Sequence, residues 1–389
     1  MLTKVIIENF KSFKNKSEFN LQATKYQSLQ DTNLYNNICK GALLVGANAT
    51  GKSTLIIAIK TLLDLLFKDN FTIYPFDTCL FNNKTEISFE YHFLIENKNI
   101  IYAFKFNKNS VITFEKLIID GKLVIERDTQ KGTIYVENEQ PKVMDKLFSP
   151  TILLLRKCYF ADFFATMQPI NKLMRFLQNS IYLDASKRFV SAYNNLKLLI
   201  TEADDNTLSK LNNSFSELNI GIKVNKSNEL NLKNFNINST SFLQKVKTNN
   251  PLVFIERTDA RLNLPLDFES LGNQTLVNIF PAILHCCENN SILLIDEFSS
   301  GFHNYLEELV IKYFFKHSTA SQVIFTSHST NLLNSKLLRP DQIYTVDFKA
   351  NEGSFIDRFS NENPREAQNL EKMYLSGKFG GLPDYNCEY

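Results

Sequence analysis

Eight residues constrain this chain more than any others: Gly46-Ala47-Asn48-Ala49-Thr50-Gly51-Lys52-Ser53. Two glycines bracketing four residues, followed by Lys-Ser, let consecutive backbone N–H groups curl around one anion. The flanks agree with that reading. Ala42-Leu43-Leu44-Val45 is a buried-strand run, and Thr54 to Ile59 opens an apolar helix whose positive end adds to the attraction for phosphate. Lys52 would reach the β- and γ-phosphates, and the Ser53 hydroxyl suits an octahedral Mg²⁺ that keeps most of its waters. The strand–loop–helix context disfavours the alternative, a plain glycine turn before an apolar helix.

The chain has 389 residues, room for one large α/β domain with an insertion or for two domains. Its six cysteines form no C-x-x-C pair, and no His stands at ligand spacing, so neither zinc nor a disulfide framework is signalled and a reducing cytoplasm is expected. Met1 to Glu8 lacks signal-peptide organisation, and no apolar run approaches the roughly 20 residues of a membrane helix, so no membrane contact is expected. A net charge of +2 with 22% charged residues gives no overall field that would announce nucleic acid.

Along the chain, Lys4 to Phe13 alternates as a strand and turns at Asn9, which places Lys11 and Ser12 in the nucleotide-binding lobe. Residues 15–39 are polar and irregular. From Lys52 to Phe67 the helix is apolar nearly all round, the mark of burial between layers. Runs at Glu86–Ile95, Ile100–Phe106, Val111–Ile119 and Lys122–Arg127 predict an antiparallel meander, with Asp120-Gly121 the clearest hairpin turn. Residues 1–146 are thus the first part of a head domain. Between 147 and 250 helical periodicity dominates, clearest at Lys172–Asn179, Ser186–Thr201 and Asn206–Leu218, so an inserted helical subdomain is expected. Its lysines, Lys210, Lys223, Lys226, Lys233, Lys245 and Lys247, read as a solvated face more than as a phosphate-backbone contact, since no arginine or aromatic residue interleaves them.

Parallel-sheet grammar resumes over 251–389. Leu252 to Ile255 reads as a strand, and Ser270-Leu271-Gly272-Asn273-Gln274 leads into an apolar helix. Ser291 to Glu297 is a strand ending in two carboxylates, a Walker B pattern: Asp296 would hold Mg²⁺ through a water and Glu297 would orient or deprotonate the attacking water. Gln322 to His328 reads as a further apolar strand, and its terminal His328 stands where a γ-phosphate contact is needed.

With these motifs in this order, the chain resembles an ABC-type ATPase head of the SMC and RecF kind. The opening Ile7-x-Asn9-Phe10-Lys11-Ser12-Phe13 is similar to the first strand of those heads. Within that group, Phe298 to His303, Thr326 to Leu333 and Leu370 to Gly381 resemble the ATPase subunits of abortive-infection and OLD-like anti-phage systems. The resemblance implies an α/β fold with an antiparallel lobe and a mostly parallel core sheet, and it implies ATP and Mg²⁺ as ligands. Gly46, Ala47, Asn48, Ala49, Thr50, Gly51, Lys52, Ser53, Thr54, Lys11 and Ser12 would contact nucleotide from one head. Ser270, Gly272 and Gln274 of a second copy would cap the γ-phosphate in a head-to-tail homodimer. Glu297, His328 and Lys52 would be catalytic, with Ser53 and Asp296 on the metal. The signature carries a single glycine, and no glutamine is placed as a Q-loop metal ligand. Arg257 and Arg261 read equally as arginine fingers or as salt bridges.

Only about 60 residues follow His328, fewer than an ordinary domain needs, so a TOPRIM nuclease in the same chain is not expected. The leading functional expectation is an ATPase that controls a separate toxic effector, of which a TOPRIM-type nuclease is the example. A RecF-like DNA-maintenance ATPase is the alternative, and a transporter's ATP-binding subunit is the least favoured. Residues Tyr374 to Pro383, with three glycines among aromatics, read either as a docking surface for that effector or as a helix cap with a packed tail.

Overall fold

The computed structural model describes residues 1–69, 74, 77–129, 131–136, 140–144, 148–187, 189–194, 200–227, 252–257, 262–299 and 303–382. Two sheets enclose the helix Lys52–Phe67 and thereby fix the phosphate-binding loop at its start. The first is antiparallel and eight-stranded, in the order Lys142–Val143, Gly132–Ile134, Lys122–Arg127, Ile112–Ile119, Lys98–Asn107, Glu86–Ile95, Leu2–Glu8 and Ser17–Asn20. The predicted meander is its centre. Asp120 and Gly121 both adopt positive φ, 46° and 79°, the geometry of a two-residue hairpin turn whose twist matches its strands.

The second sheet has seven strands, in the order Phe189–Ala192, Ile181–Asp184, Ile292–Asp296, Gln322–Thr326, Gly41–Val45, Ile343–Lys349 and Gly353–Arg358. The middle five run parallel and the two edges antiparallel. Three of the parallel strands, Gly41–Val45, Ile292–Asp296 and Gln322–Thr326, are buried at every residue, so they read as continuous apolar runs rather than alternating ones. On one face the Lys52–Phe67 helix packs against the antiparallel sheet, and Tyr91 there donates its hydroxyl to Ala58 O at 2.7 Å. On the other face lie the helices Asp205–Glu217, Leu271–Asn289 and Asn304–His317, joined through Phe215, Phe280 and Tyr313.

Buried polar groups stitch the sheets together. Gln322 Nε2 donates to Leu2 O at 2.8 Å and Cys39 O at 3.1 Å, while Leu2 N donates to Gln322 Oε1 at 2.7 Å. Arg339 and Asp341 are wholly buried and paired through both guanidinium arms, and Asp341 also accepts from Thr24 N and Oγ1. A bidentate pair with its remaining lone pairs occupied is the arrangement in which a buried charge is tolerated.

Residues 147–250 depart from the helical insertion predicted for them. Helices Leu154–Phe160, Gln168–Gln178 and Asp205–Glu217 are present, but Ile181–Asp184 is an internal strand of the core sheet and Phe189–Ala192 its edge. The predicted Ser186–Thr201 helix is replaced by that edge strand, with residues 188 and 195–199 outside the described residues. Four-residue strands are too short to show a period, and their burial depends on partners more than 100 residues away. Leu252–Arg257 is a strand, as predicted, but it pairs antiparallel with Ile222–Ser227 and Leu262–Pro265 in a separate three-stranded sheet. Lys233, Lys245, Lys247 and Arg261 lie outside the described residues.

Candidate nucleotide-binding site

The loop between Val45 and Lys52 takes its shape from its glycines. Gly46 has φ 148°, and a Cβ there would stand 2.4 Å from Val346 O; Gly51 has φ 113°, and a Cβ would stand 2.6 Å from Ser354 Oγ and 2.8 Å from Ser12 Oγ. Any side chain at either position would force backbone and neighbouring strand apart. Thr50 Oγ1 closes the turn on Ala47 O at 3.0 Å.

Lys52 folds back into this loop, its ammonium 2.8 Å from Gly46 O and 2.6 Å from Ala47 O. Burial lowers its pKa, and the carboxylates of Asp296 and Glu297 oppose that shift. Ser53 Oγ donates to Asp296 Oδ1 at 2.9 Å, and Thr326 Oγ1 donates to the same oxygen at 2.8 Å. The Thr326 hydroxyl also accepts Glu297 N at 2.7 Å. One threonine on the neighbouring strand therefore holds the Asp296 carboxylate and the Glu297 backbone. The motif reading assigned Thr326 no role, and its place beside a strand-end acid is visible only once the two strands are paired. Glu297 has φ 54°, a left-handed conformation that a non-glycine residue adopts at a cost and that turns its side chain out of the strand direction.

Asn48, Ala49, Gly51, Lys52, Ser53, Thr54, Lys11, Ser12, Glu297, Thr326 and His328 line a cleft of about 280 Å³. Ser12 Oγ is buried there without a hydrogen-bond partner, an orphan that a bound anion would satisfy. Lys11 lines the cleft, but its ammonium is taken by Asp77 at 2.6 Å. His328, exposed at the rim of the cleft, is pushed below its ordinary pKa by partial desolvation and by the Lys52 charge, against the pull of Glu297 and Asp296.

Ser270, Gly272 and Gln274 do not line this cleft. Ser270 caps the Leu271–Asn289 helix, accepting Asn273 N at 3.3 Å, and Gln274 Nε2 donates to Glu269 O at 2.8 Å. The turn before them is held by Glu269, a buried carboxylate that receives Arg257 Nε at 3.0 Å and Nη2 at 2.9 Å, with Asn273 and Ser270 N. Arg257 is thus a salt-bridge residue that shapes the signature turn. Glu269, which fixes it there, belongs to no motif, and its role is visible only once Arg257 is placed beside it.

The tail packs. Phe379 stacks on Phe359 with ring centroids 3.7 Å apart, Thr345 Oγ1 donates to Phe379 O, and Gly381 N donates to Asp347 Oδ2 at 2.7 Å. Tyr374, Leu375 and Leu382 form one wall of a second cavity of about 250 Å³, with Val45 to Asn48 and Ser327 to Thr330 as the others. Thr330 Oγ1 donates to Glu371 at 2.6 Å, so the helix Leu370–Leu375 also braces the loop that carries His328. Pro383 lies outside the described residues. Deleting residues from Tyr374 onward is therefore expected to weaken ATP binding on the order of tenfold or more, because it removes the support behind Gly46 and His328. Unchanged affinity in a folded truncated protein, measured by titration with a fluorescent ATP analogue, would show that the tail is dispensable to the loop.

Comparison with known proteins gives a family and a fold. The family described as "AAA domain, putative AbiEii toxin, Type IV TA system" matches residues 42–137 and 149–334, more than half of the chain. No curated protein matches. Among solved structures, an SMC head bound to the C-winged helix domain of ScpA aligns with a TM-score of 0.52 at 14% identity, covering 96% of this chain and 99% of that one. An SMC head domain from Thermotoga maritima gives 0.49 at 16% identity, covering 92% and 98%. An SMC head with an extended coiled coil, bound to the C-terminal domain of ScpA derived from Pyrococcus furiosus, gives 0.49 at 11%, covering 97% and 98%. At such identities the likeness speaks to fold, and the first of these structures carries it. The chain belongs to the family described as AAA domain, putative AbiEii toxin, Type IV TA system, and has the fold of an SMC head domain.

Proposed function

We propose that this protein binds and hydrolyses ATP between two heads and that its nucleotide state controls a separate toxic effector in an anti-phage abortive-infection system, with a TOPRIM-type nuclease as the favoured effector. One observation carries the enzymatic part: Lys52, Ser53, Glu297 and His328 line one cleft, with Asp296 bonded to Ser53 behind it, whereas Ser270 and Gly272 stand outside. A signature turn outside the cleft is compatible with a half-site that a second copy completes. The family description, which names a putative toxin of a Type IV toxin–antitoxin system, supports a place for the chain in such a system.

The side chains suit a hard divalent cation. Ser53 Oγ and Asp296 Oδ1 offer oxygen donors 2.9 Å apart at the end of the phosphate loop, the donor type that Mg²⁺ takes alongside water and phosphate. Magnesium, when bound, supplies charge neutralisation for the phosphates. The chain's own groups do the rest. Lys52 and the loop N–H groups hold the phosphates, Glu297 takes the proton of the attacking water, and the neutral His328 hydrogen-bonds at the terminal phosphate.

The reading is tested by growth and phage challenge of cells expressing the protein alone, its neighbouring gene alone, or both. Toxicity or phage arrest only with both, lost in Lys52→Ala, is the expected result. Tight DNA binding by the purified protein, with no toxicity in any combination, would overturn it in favour of a RecF-like DNA-maintenance ATPase.

A further inference from the structure

Among the described residues, Glu307 is the buried carboxylate whose two oxygens both lack a hydrogen-bond partner. It stands in the first turn of the helix Asn304–His317 and is 0% exposed. Other buried acids have donors: Asp64 has Lys60, Lys68 and Tyr193, and Glu115 has Tyr102 with the N–H groups of Leu154 and Leu155. A buried polar group left without a partner calls for a reason.

The surroundings of Glu307 supply one, because they join the segment leaving the Walker B strand to the loop that carries His328. His328 N donates to Ser299 Oγ at 3.2 Å, and Asn331 Nδ2 donates to Asn304 O at 3.1 Å. Ser329 Oγ donates to Asn331 Oδ1 at 2.5 Å and lies 3.3 Å from Asn304 Oδ1. The same serine faces Glu307, short of hydrogen-bond geometry. A hydroxyl has one proton, and this one is committed to the asparagines. It has none for a carboxylate, whereas its lone pairs are open to a carboxyl O–H.

Burial raises the Glu307 pKa to about 7, with Ser329 opposing and Glu308 on the same helix adding to the rise. The facing loop brings His328, and behind that loop Glu371 is engaged by Thr330. The helices packed on this one bring Asp31, and Lys210 and Glu217, both already paired, while Leu271–Asn289 carries no ionisable side chain before His285.

We propose that Glu307 is a positioning residue that acts as a neutral acid: its carboxyl proton goes to Ser329 Oγ and seats the His328 loop against the helix, and loss of that proton releases the loop. This rests on reading the cleft as the nucleotide site, since His328 is the residue so placed. A glutamic acid whose folded pKa stands above its ordinary 4.5 gives stability that is full below about 4.5 and is lost as pH rises through about 7.

The test follows the full chain as wild type and as Glu307→Gln. Wild-type ATP turnover, normalised to its own maximum, is expected to fall about tenfold between about pH 6 and about pH 8, the loss of neutral acid across a pKa near 7. Glu307→Gln keeps an N–H donor at every pH, so its normalised profile should lack that fall. Melting temperatures read the same group without nucleotide: the wild type should lose stability relative to Glu307→Gln between about pH 4.5 and about pH 7. Hydrogen exchange in the wild type needs no variant, and the N–H groups of His328 and Leu333 should lose protection above about pH 7 relative to those of the strand Gln322–Thr326. Matching pH profiles and melting curves in the two proteins, or relative exchange that does not change with pH, would overturn the proposal. A wild type with no turnover at any pH would remove the ATPase reading, and melting and exchange would then decide on Glu307.

Discussion

Lys52→Ala is expected to abolish nucleotide binding, with ATP affinity falling at least about 100-fold, the consequence of removing a buried cation that would make more than one charge-assisted contact to phosphate. The structure adds a reason beyond charge. Lys52 satisfies the carbonyls of Gly46 and Ala47, so its removal leaves both without that donor and loosens the curl that aims the loop amides. It also removes the cation that faces Asp296 and Glu297. Titration with a fluorescent ATP analogue measures the loss, and circular dichroism establishes that the variant is folded. Full affinity in a folded variant would reject Gly46–Ser53 as the phosphate site.

Glu297→Gln is expected to bind ATP normally and hydrolyse it about 10²–10⁴-fold more slowly, since the amide keeps the shape of the carboxylate but accepts no proton. The backbone conformation supports a chemical role. A left-handed glutamate at the end of a buried strand costs stability, and its backbone N–H is fixed by the threonine that also holds Asp296. Substitution by glutamine leaves that backbone hydrogen bond intact, so the effect should fall on turnover alone. The variant should also accumulate as an ATP-dependent dimer in light scattering, because hydrolysis is what would release the interface. Wild-type turnover in Glu297→Gln would remove this residue as the base. A variant that stays monomeric with saturating ATP would instead remove the composite site, leaving the intrachain cleft to act by itself.

The tail changes how the nucleotide site is built. Gly381 lies close enough to Gly46 that a Cβ on it would stand 3.4 Å from the Gly46 Cα, so the end of the described chain is part of the wall behind the phosphate loop. Between the docking surface and the packed tail that the sequence allowed, the structure supports packing. An effector that engaged this segment would have to act through contacts that also support Gly46 and the His328 loop.

The sequence by itself determined the elements whose chemistry is local. Gly46 to Ser53 needs only a strand before it and a helix after it, the Asp120-Gly121 hairpin needs only two residues tolerant of positive φ, and Ile292 to Glu297 needs only an apolar run ending in acids. The tertiary structure alone decided which strand ends stand side by side. Ile181–Asp184 is four residues with no period to betray it, and it became an internal strand because Ile292–Asp296 offered a buried edge more than 100 residues away. That pairing set Asp184 in register with Asp296. The pairing of Gln322–Thr326 brought Thr326 to the Asp296 carboxylate and the Glu297 backbone, Asp77 drew the Lys11 ammonium aside, and the Phe359–Phe379 stack drew the tail onto the loop. Each is a long-range contact selected by burial and by the demand that buried polar groups find partners, neither of which leaves a signature in neighbouring residues.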